Sequence, residues 1–405
     1  PRSHSTVIPD TEQTTLGREV AEWQRTHPGM SGFLPLIGGM DALGARLALM
    51  DLAERTIDAQ YFLMKSDAAG VIFVSKLLEA ADRGVRVRFL LDDIFTSVDD
   101  NALLLLDQHP NVEMRLFNPI SRRGVPLLNF LGDFKRANRR MHNKSFTVDN
   151  QVSIVGGRNI AEEYFELKTG QEFRDLDVIA VGPAAGEIGA TFDRFWNHAL
   201  SVPMDAFRTR DEDLDLDSAR AALAEELHEA MESIYARALD SALVQQLLED
   251  RVTFFPATAE VITDDPNKLL NRISAEHQTL VTRMAEVVAN AASEVIVVAP
   301  YFIPGEAGVE FWRNLTDRGV RVVVVTNSLA SNNHIPVHAA YARYRHAIIR
   351  AGVELYEMRV DATNATDGKE KAEIESTTLH TKAILTDHHR TFIGSLNLDP
   401  RSIDI

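Results

Sequence analysis

Residues 141–149 read MHNKSFTVD, and residues 379–387 read LHTKAILTD. Both contain His-x-Lys-x-x-x-x-Asp: His142, Lys144 and Asp149, then His380, Lys382 and Asp387. In each case a short turn leads into an apolar run that ends in small residues and an asparagine. The first run ends VGGRN with Asn159, the second IGSLN with Asn397. All four positions repeat at an offset of 238 residues.

Working outward, the echo continues. DRGVRV occurs at 82–87 and again at 317–322, NVEMRLF (111–117) is answered by GVELYEM (352–358), and TIDAQYFLMKS (56–66) by EVIVVAPYFIPG (294–305). The offsets drift only between 235 and 241. One such pair could arise by chance, but several in one order indicate two homologous domains rather than a solenoid of short repeats. Within the first copy, TIDAQYFL, VRVRFLLDD and VEMRLF have the β-branched and apolar character of strands, and AGVIFVSKLLEAADRG has the periodicity of a helix closed by Gly84. This alternation predicts an α/β sandwich around a mostly parallel or mixed sheet. The expected organisation is an N-terminal extension at 1–35, a first domain at 36–200, an acidic helical connector at 201–270 with Asp217 or Ser218 as N-cap, and a second domain at 271–405.

The chain has 405 residues, 45% hydrophobic and 25% charged, an ordinary globular composition. No apolar run approaches membrane-spanning length, and no signal-peptide pattern opens the chain. It begins at Pro1 rather than Met, which is compatible with removal of an N-terminal segment. Cysteine is absent, so disulfides and thiolate metal sites are excluded. A net charge of −17 argues against a bare nucleic-acid or anionic-membrane binder, so an anionic substrate must meet a local positive site.

Side chains two apart on a strand share a face. On a regular strand His142 and Lys144 point one way and Asp149 the other, and the second set repeats this. The His–Lys pairs are therefore candidate site surface, and the aspartates candidate braces behind it. Two histidines, two lysines and two asparagines could hold an anion with no metal, while small residues at 156, 157, 394 and 395 admit a close backbone. Two imidazoles that titrate near neutrality can divide the roles of nucleophile and acid.

These residues resemble the phospholipase D superfamily, whose signature is a doubled HxKxxxxD followed by a G-[GS]-x-N step. The finer motifs RRMHNKSFTVD, VGGRNIAEEYF, FRDLDVIAVGP, YARYR, AGVELYE and GSLNLDPRS are similar to the bacterial cardiolipin synthase branch without transmembrane helices. The resemblance covers nearly the whole chain. It implies two phospholipase D-like α/β/α sandwich domains related by pseudo-twofold symmetry and sharing one active site. It also implies a phosphatidyltransferase that forms cardiolipin through a phosphohistidine, with a hydrolytic phospholipase D and a phosphodiesterase acting on nucleic acid as the alternatives. His142 would be the nucleophile and His380 the acid/base, by analogy with members whose N-terminal histidine attacks. Lys144, Lys382, Asn159 and Asn397 would stabilise charge on the phosphoryl oxygens, and Asp149, Asp387, Gly157 and Ser395 would support them. No cofactor or metal is implied. The expected partners are phosphatidylglycerol, with phosphatidylethanolamine a candidate second substrate, and a membrane surface. The expected location is peripheral at the bacterial inner membrane, with the face and oligomeric state left open.

Members of the family also hold a carboxylate or amide behind each histidine. Asp175 aligns with that role for His142, and Asp177, of the same parity, competes for it. The partner of His380 would follow LDPRSIDI, so a truncation at Ile405 is expected. Arg139 and Arg140 are candidate lipid-phosphate contacts. The stretch 121–140, apolar from Val125 to Phe134 between basic clusters, reads either as a loop with a buried helix or as a lid touching the membrane. His338, Tyr341 and Arg345 share a helical face that serves packing or, with Tyr341 as a substrate contact, the rim of a headgroup pocket. FDRFWNH near 192–198 reads as an aromatic core stripe, and His388 with His389 as turn residues without a metal.

Overall fold

A computed structural model describes residues 3–93, 100–119, 140–167, 171–207, 221, 231–249, 251–269, 279–359 and 376–399. The chain divides into two compact units. The first comprises 1–167 and 177–261, and the second comprises 168–176 and 262–405.

The first unit is built on nine strands: β1 (Ser31–Leu36), β2 (Thr56–Tyr61), β3 (Arg86–Asp92), β4 (Val112–Phe117), β5 (Ser145–Val148), β6 (Val152–Gly156), β8 (Asp177–Val181), β9 (Ser201–Pro203) and β10 (Phe255–Ala257). Their order is β10-β1-β8-β6-β5-β2-β3-β4-β9. Only β2, β3 and β4 run parallel, so the sheet is mixed. Helices α1 (Thr15–Thr26), α2 (Gly39–Leu52), α3 (Ala68–Asp82), α4 (Asp100–Asp107) and α5 (Pro183–Trp196) accompany it.

The local chemistry explains the elements. Asp67 caps α3 by accepting the Gly70 N–H, and Gly84, at φ 95°, turns the chain out of the helix as expected. Along β2, Ile57, Ala59 and Tyr61 enter an apolar core, while the alternate residue Asp58 sits on the other face and pairs with Arg88 at 2.7 Å. Arg88 also meets Asp193 of α5 at 2.8 Å and lies over the Phe192 ring. The aromatic stripe is a core feature, with Phe192 and Trp196 stacked 5.6 Å apart, but it also shields buried arginines.

The second unit repeats the central part of this sheet. Strands β11 (Glu294–Val298), β12 (Arg321–Asn327), β13 (Glu354–Met358), β15 (Ala383–Thr386) and β16 (Arg390–Ile393) lie in the order β13-β12-β11-β15-β16. With three parallel strands and an antiparallel hairpin, this matches β4-β3-β2-β5-β6. Helices α6 (Thr279–Ala289), α7 (Gly305–Asp317), α8 (Ile335–Ala342) and α9 (Arg345–Arg350) complete it around Val295, Val297, Trp312, Val322 and Val324. The registers explain the drift in offset: Ile57↔Val148 matches Val295↔Thr386, whereas the β12–β13 connection is longer than its β3–β4 counterpart. A parallel pair is added by β7 (Gln171–Arg174) and β14 (Ser376–Leu379).

The boundaries differ from the expected ones. Residues 1–35 are not a separate extension, because β1 pairs with β8 and β10 inside the sheet. Residues 168–176 leave the first unit, since the backbone groups of β7 are taken by β14. Of the expected connector, 201–207 and 231–261 belong to the first unit, and Asp217 and Ser218 lie outside the described residues.

Candidate active site

His142 and Lys144 do not sit in a strand, as expected, but in the extended link just before β5. The link is held from below. Asp92, at the end of β3, accepts the Met141 N–H at 3.0 Å, and Gln60 reaches the Met141 sulfur at 2.8 Å. Lys144 turns back so that its Nζ donates to the His142 carbonyl at 2.7 Å. The Phe62 ring lies 4.7 Å from the imidazole and 4.9 Å from the ammonium, giving both an aromatic wall.

His380 and Lys382 occupy the corresponding link between β14 and β15. The His380 N–H donates to the Arg174 carbonyl at 2.7 Å. Its Nδ1 is 2.5 Å from Asp175 Oδ2, and both side chains are buried. An ionised carboxylate only accepts, so Nδ1 carries the proton and Nε2 is left to work as base or, once protonated, as acid. Lys382 Nζ donates to the His380 carbonyl and lies 2.8 Å from Nδ1 and 3.3 Å from Nε2. Nδ1 cannot both donate to Asp175 and accept from Lys382, and the carboxylate takes precedence because it has no donor of its own. Phe173 stacks on this imidazole at 5.3 Å, the counterpart of Phe62.

This geometry corrects the expected pairing. Asp175 was assigned to His142, but its carboxylate is on His380, because residues 168–176 belong to the second unit. Its competitor Asp177 is buried in the first unit, 2.7 Å from Arg46 and 3.7 Å from Arg158.

The two motif aspartates do matching work on the backbone. Asp149 accepts the N–H groups of Glu54, Arg55 and Thr56 at 2.8–3.1 Å. Asp387 accepts those of Ala292, Ser293 and Glu294 at 2.7–3.0 Å. These bonds hold the Asp387 carboxyl far below the usual carboxylate range. Each aspartate also opens a turn with two consecutive positive φ angles, Asp149–Asn150 and Asp387–His388.

The asparagines differ. Asn159 accepts from Leu63 N–H at 3.1 Å and donates to the Tyr164 hydroxyl at 3.0 Å. Asn397 is buried, and among the described residues its Oδ1 has no hydrogen-bond partner. Gly157 is buried and Ser395 half-buried beside them.

Two expected substrate contacts are placed elsewhere. Arg140 is turned inward, donating to the Asn118 carbonyl at 2.9 Å and lying 3.3 Å from Asp92, so it pins the link instead of facing a lipid. Tyr341 is 3% exposed within the second core, and its hydroxyl donates to Glu357 at 2.7 Å. His338 and Arg345 lie against it, 3.3 Å apart. Arg139 and most of 121–140 lie outside the described residues. Among the described residues no group of His, Asp or Glu has a metal-holding arrangement, and no helix is long and apolar enough to cross a membrane. Sequence reasoning missed Phe62, Phe173 and Asp92. Both phenylalanines lay in stretches already singled out, QYFLM and FRDLD, but an aromatic in a strand reads first as core.

Residues 47–196 and 284–405 match the family described as "Cardiolipin synthase, PLD-like domain". Cardiolipin synthase C of Escherichia coli strain K12 is 38% identical over 93% of this chain and 80% of its own length. An uncharacterized protein of Helicobacter pylori is 32% identical over 99% of this chain and 80% of its own. The crystal structure of phosphatidylserine synthase from Haemophilus influenzae Rd KW20 is similar in fold, with a TM-score of 0.59 at 13% identity, covering 95% of this chain and 84% of that one.

Proposed function

This chain belongs to the cardiolipin synthase family with phospholipase D-like domains, and from that premise we propose that it is a phosphatidyltransferase forming cardiolipin from phosphatidylglycerol and a second phospholipid. The observation that carries this reading is its similarity, along almost the whole chain, to Cardiolipin synthase C.

The proposed chemistry uses both motif sets on one phosphodiester. His142 attacks the phosphorus of phosphatidylglycerol, a P–N bond forms, and the P–O bond to the headgroup glycerol breaks. His380, protonated at Nε2, gives that proton to the leaving glycerol oxygen. The hydroxyl of a second phosphatidylglycerol then attacks phosphorus, His380 takes its proton, and the P–N bond breaks. The hydrogen bond from Nδ1 to Asp175 fits this role, since it fixes the ring and assigns both transfers to Nε2. Lys144 and Lys382, each anchored on its own histidine's carbonyl, would meet charge on the phosphoryl oxygens, with Asn159 and Asn397 as amide donors. No cofactor enters these steps. We further propose peripheral association with the bacterial inner membrane, where the substrates reside.

The test is incubation of the purified chain with phosphatidylglycerol vesicles in the presence of a chelator. Cardiolipin and free glycerol in equal amounts are expected. Phosphatidic acid as the main product would instead assign a phospholipase D. Salt-sensitive binding and cleavage of DNA would favour a nuclease, which the net charge of −17 opposes.

A further inference from the structure

We propose that the connection between β12 and β13 docks the second unit onto an anionic lipid surface, with Leu329 and Ile335 entering the bilayer and Arg343 meeting lipid phosphates. The proposal rests on the reading of the chain as a lipid phosphatidyltransferase, and it assigns the surface through which that lipid is reached.

The first observation is exposure. Leu329 is 60% and Ile335 70% exposed, while the core of the same unit is closed. Neither is a fraying side chain. Leu329 stands at the tip of a turn locked by Ser328 and Ser331. Ser328 N–H donates to Ser331 Oγ at 2.9 Å, Ser331 N–H donates to Ser328 Oγ at 3.2 Å, and Ser331 Oγ reaches the Met358 carbonyl at 3.2 Å. Ile335 opens α8, where Ile335, Ala339 and Arg343 follow at i, i+4 and i+8 and are all exposed, while His338 and Tyr341 on the opposite side are buried. A rigid turn that holds one aliphatic side chain into solvent, beside a helix showing an aliphatic-to-basic stripe, has the composition of an interfacial element.

The second observation is charge. Between Asp317 and Glu354 the chain has no acidic residue but five arginines. Arg321 is paired with Glu294 and Glu354 and Arg345 with Glu357, which leaves the exposed Arg318, Arg343 and Arg350 to make this stretch positive in a protein of net charge −17. Such a local reversal fits an anionic partner, and the neighbouring aliphatic side chains fit one with an apolar interior. An anionic bilayer has both.

The third observation is position. The registers Arg88↔Glu113 and Val323↔Glu354 make this connection six residues longer than its counterpart in the first unit, so the element is not part of the duplicated frame. It is nonetheless tied to the candidate site. Asn327, immediately before the turn, donates to the Leu379 carbonyl at 2.8 Å and accepts the Leu379 N–H at 2.9 Å, and Leu379 precedes His380. Seating the turn would therefore set the position of His380 relative to the lipid surface.

The chain has no cysteine, so one introduced thiol can be labelled selectively. An environment-sensitive dye at Leu329→Cys should shift to the blue on adding phosphatidylcholine vesicles that contain phosphatidylglycerol, and a dye at Phe255→Cys in the first unit should not. In sedimentation with the same vesicles, Leu329→Ser/Ile335→Ser should lose at least about tenfold in affinity. Arg343→Gln should lose affinity only for vesicles containing phosphatidylglycerol. Transfer on short-chain, micelle-free phosphatidylglycerol should stay at the wild-type rate in the double variant. Unchanged vesicle binding by the double variant, or an unshifted dye at position 329, overturns the proposal. So does a wild-type dimer that the double variant dissociates, which would make a second copy the occupant. Failure of the wild type to form cardiolipin from soluble lipid would contradict the assigned activity, while the sedimentation and dye results would still decide the docking surface.

Discussion

The imidazole of His380 directs its Nδ1–H at the Asp175 carboxylate across 2.5 Å, although 205 residues separate the two in sequence. The bond exists because β7 pairs with β14 and brings Asp175 beside the second motif. A carboxylate in this position sets the tautomer and steadies the imidazolium that forms when Nε2 takes a proton. Asp175→Asn presents an amide whose NH2 group cannot accept, and favours the wrong tautomer. The expected result is a fall in kcat of ~10²–10⁴-fold with KM within a few-fold of wild type. The pH–rate profile should shift as well, which loss of fold alone would not produce.

Lys144 and Lys382 are each fixed by a bond to the carbonyl of their own histidine. Replacement by Met keeps much of the apolar stem and removes the charge. Either change should lower kcat/KM by ~10²–10³-fold with little change in melting temperature. Calorimetry and initial rates measured on one preparation check both halves of this expectation.

Asp149 serves the backbone. Its carboxylate accepts three N–H groups at the entry to β2. Asp149→Ala should cost about 2–4 kcal/mol of stability, read as a lower denaturant midpoint. The material that remains folded should keep a near-normal turnover.

Asp387 adds a pH dependence. Its pKa is depressed by the backbone N–H groups of residues 292–294. A depressed carboxylate contributes stability that is fully present above the ordinary carboxylate range and is lost as pH falls through the folded-state value. Wild type should therefore exceed Asp387→Asn in stability above about pH 5, and the gap should narrow below about pH 4. A gap independent of pH would contradict this account.

The second turn carries strain that the first avoids. Asn150 and His388 occupy equivalent positions with φ of 52° and 60°. Asparagine tolerates this left-handed conformation better than histidine does. His388→Asn should stabilise the protein by about 0.5 kcal/mol, since the ion pair it removes, with Glu294 at 3.4 Å, is exposed and weak.

Much of this was legible in the sequence, for physical reasons. The duplication, the mixed α/β sheet and the His–Lys–Asp–Asn sets follow from residue spacing, and a shared fold preserves spacing. The expectation that the aspartates act as braces rested on parity along a regular strand, but His142 and Lys144 precede β5 and Asp149 follows it, so the backbone bonds of Asp149 come from the turn and not from strand alternation. The partner of Asp175 was not readable. Local pattern carries no signal that residues 168–176 depart to pair with a strand two hundred residues later. Arg140 and Tyr341 were misplaced for a related reason, since a basic or amphipathic side chain near a site is equally suited to an internal partner. Here Asp92 and Glu357 supply those partners. The Leu329 turn is not legible in the sequence, because a single leucine among polar residues has no periodicity.

The most direct test of the central claim is lipid mass spectrometry of cells that lack their own cardiolipin synthesis and express this chain or His142→Asn to equal levels. Cardiolipin should accumulate with the wild type and stay at background with the variant, while phosphatidylglycerol falls only in the former. Equal cardiolipin in both strains, or accumulation of phosphatidic acid in place of cardiolipin, would contradict the account.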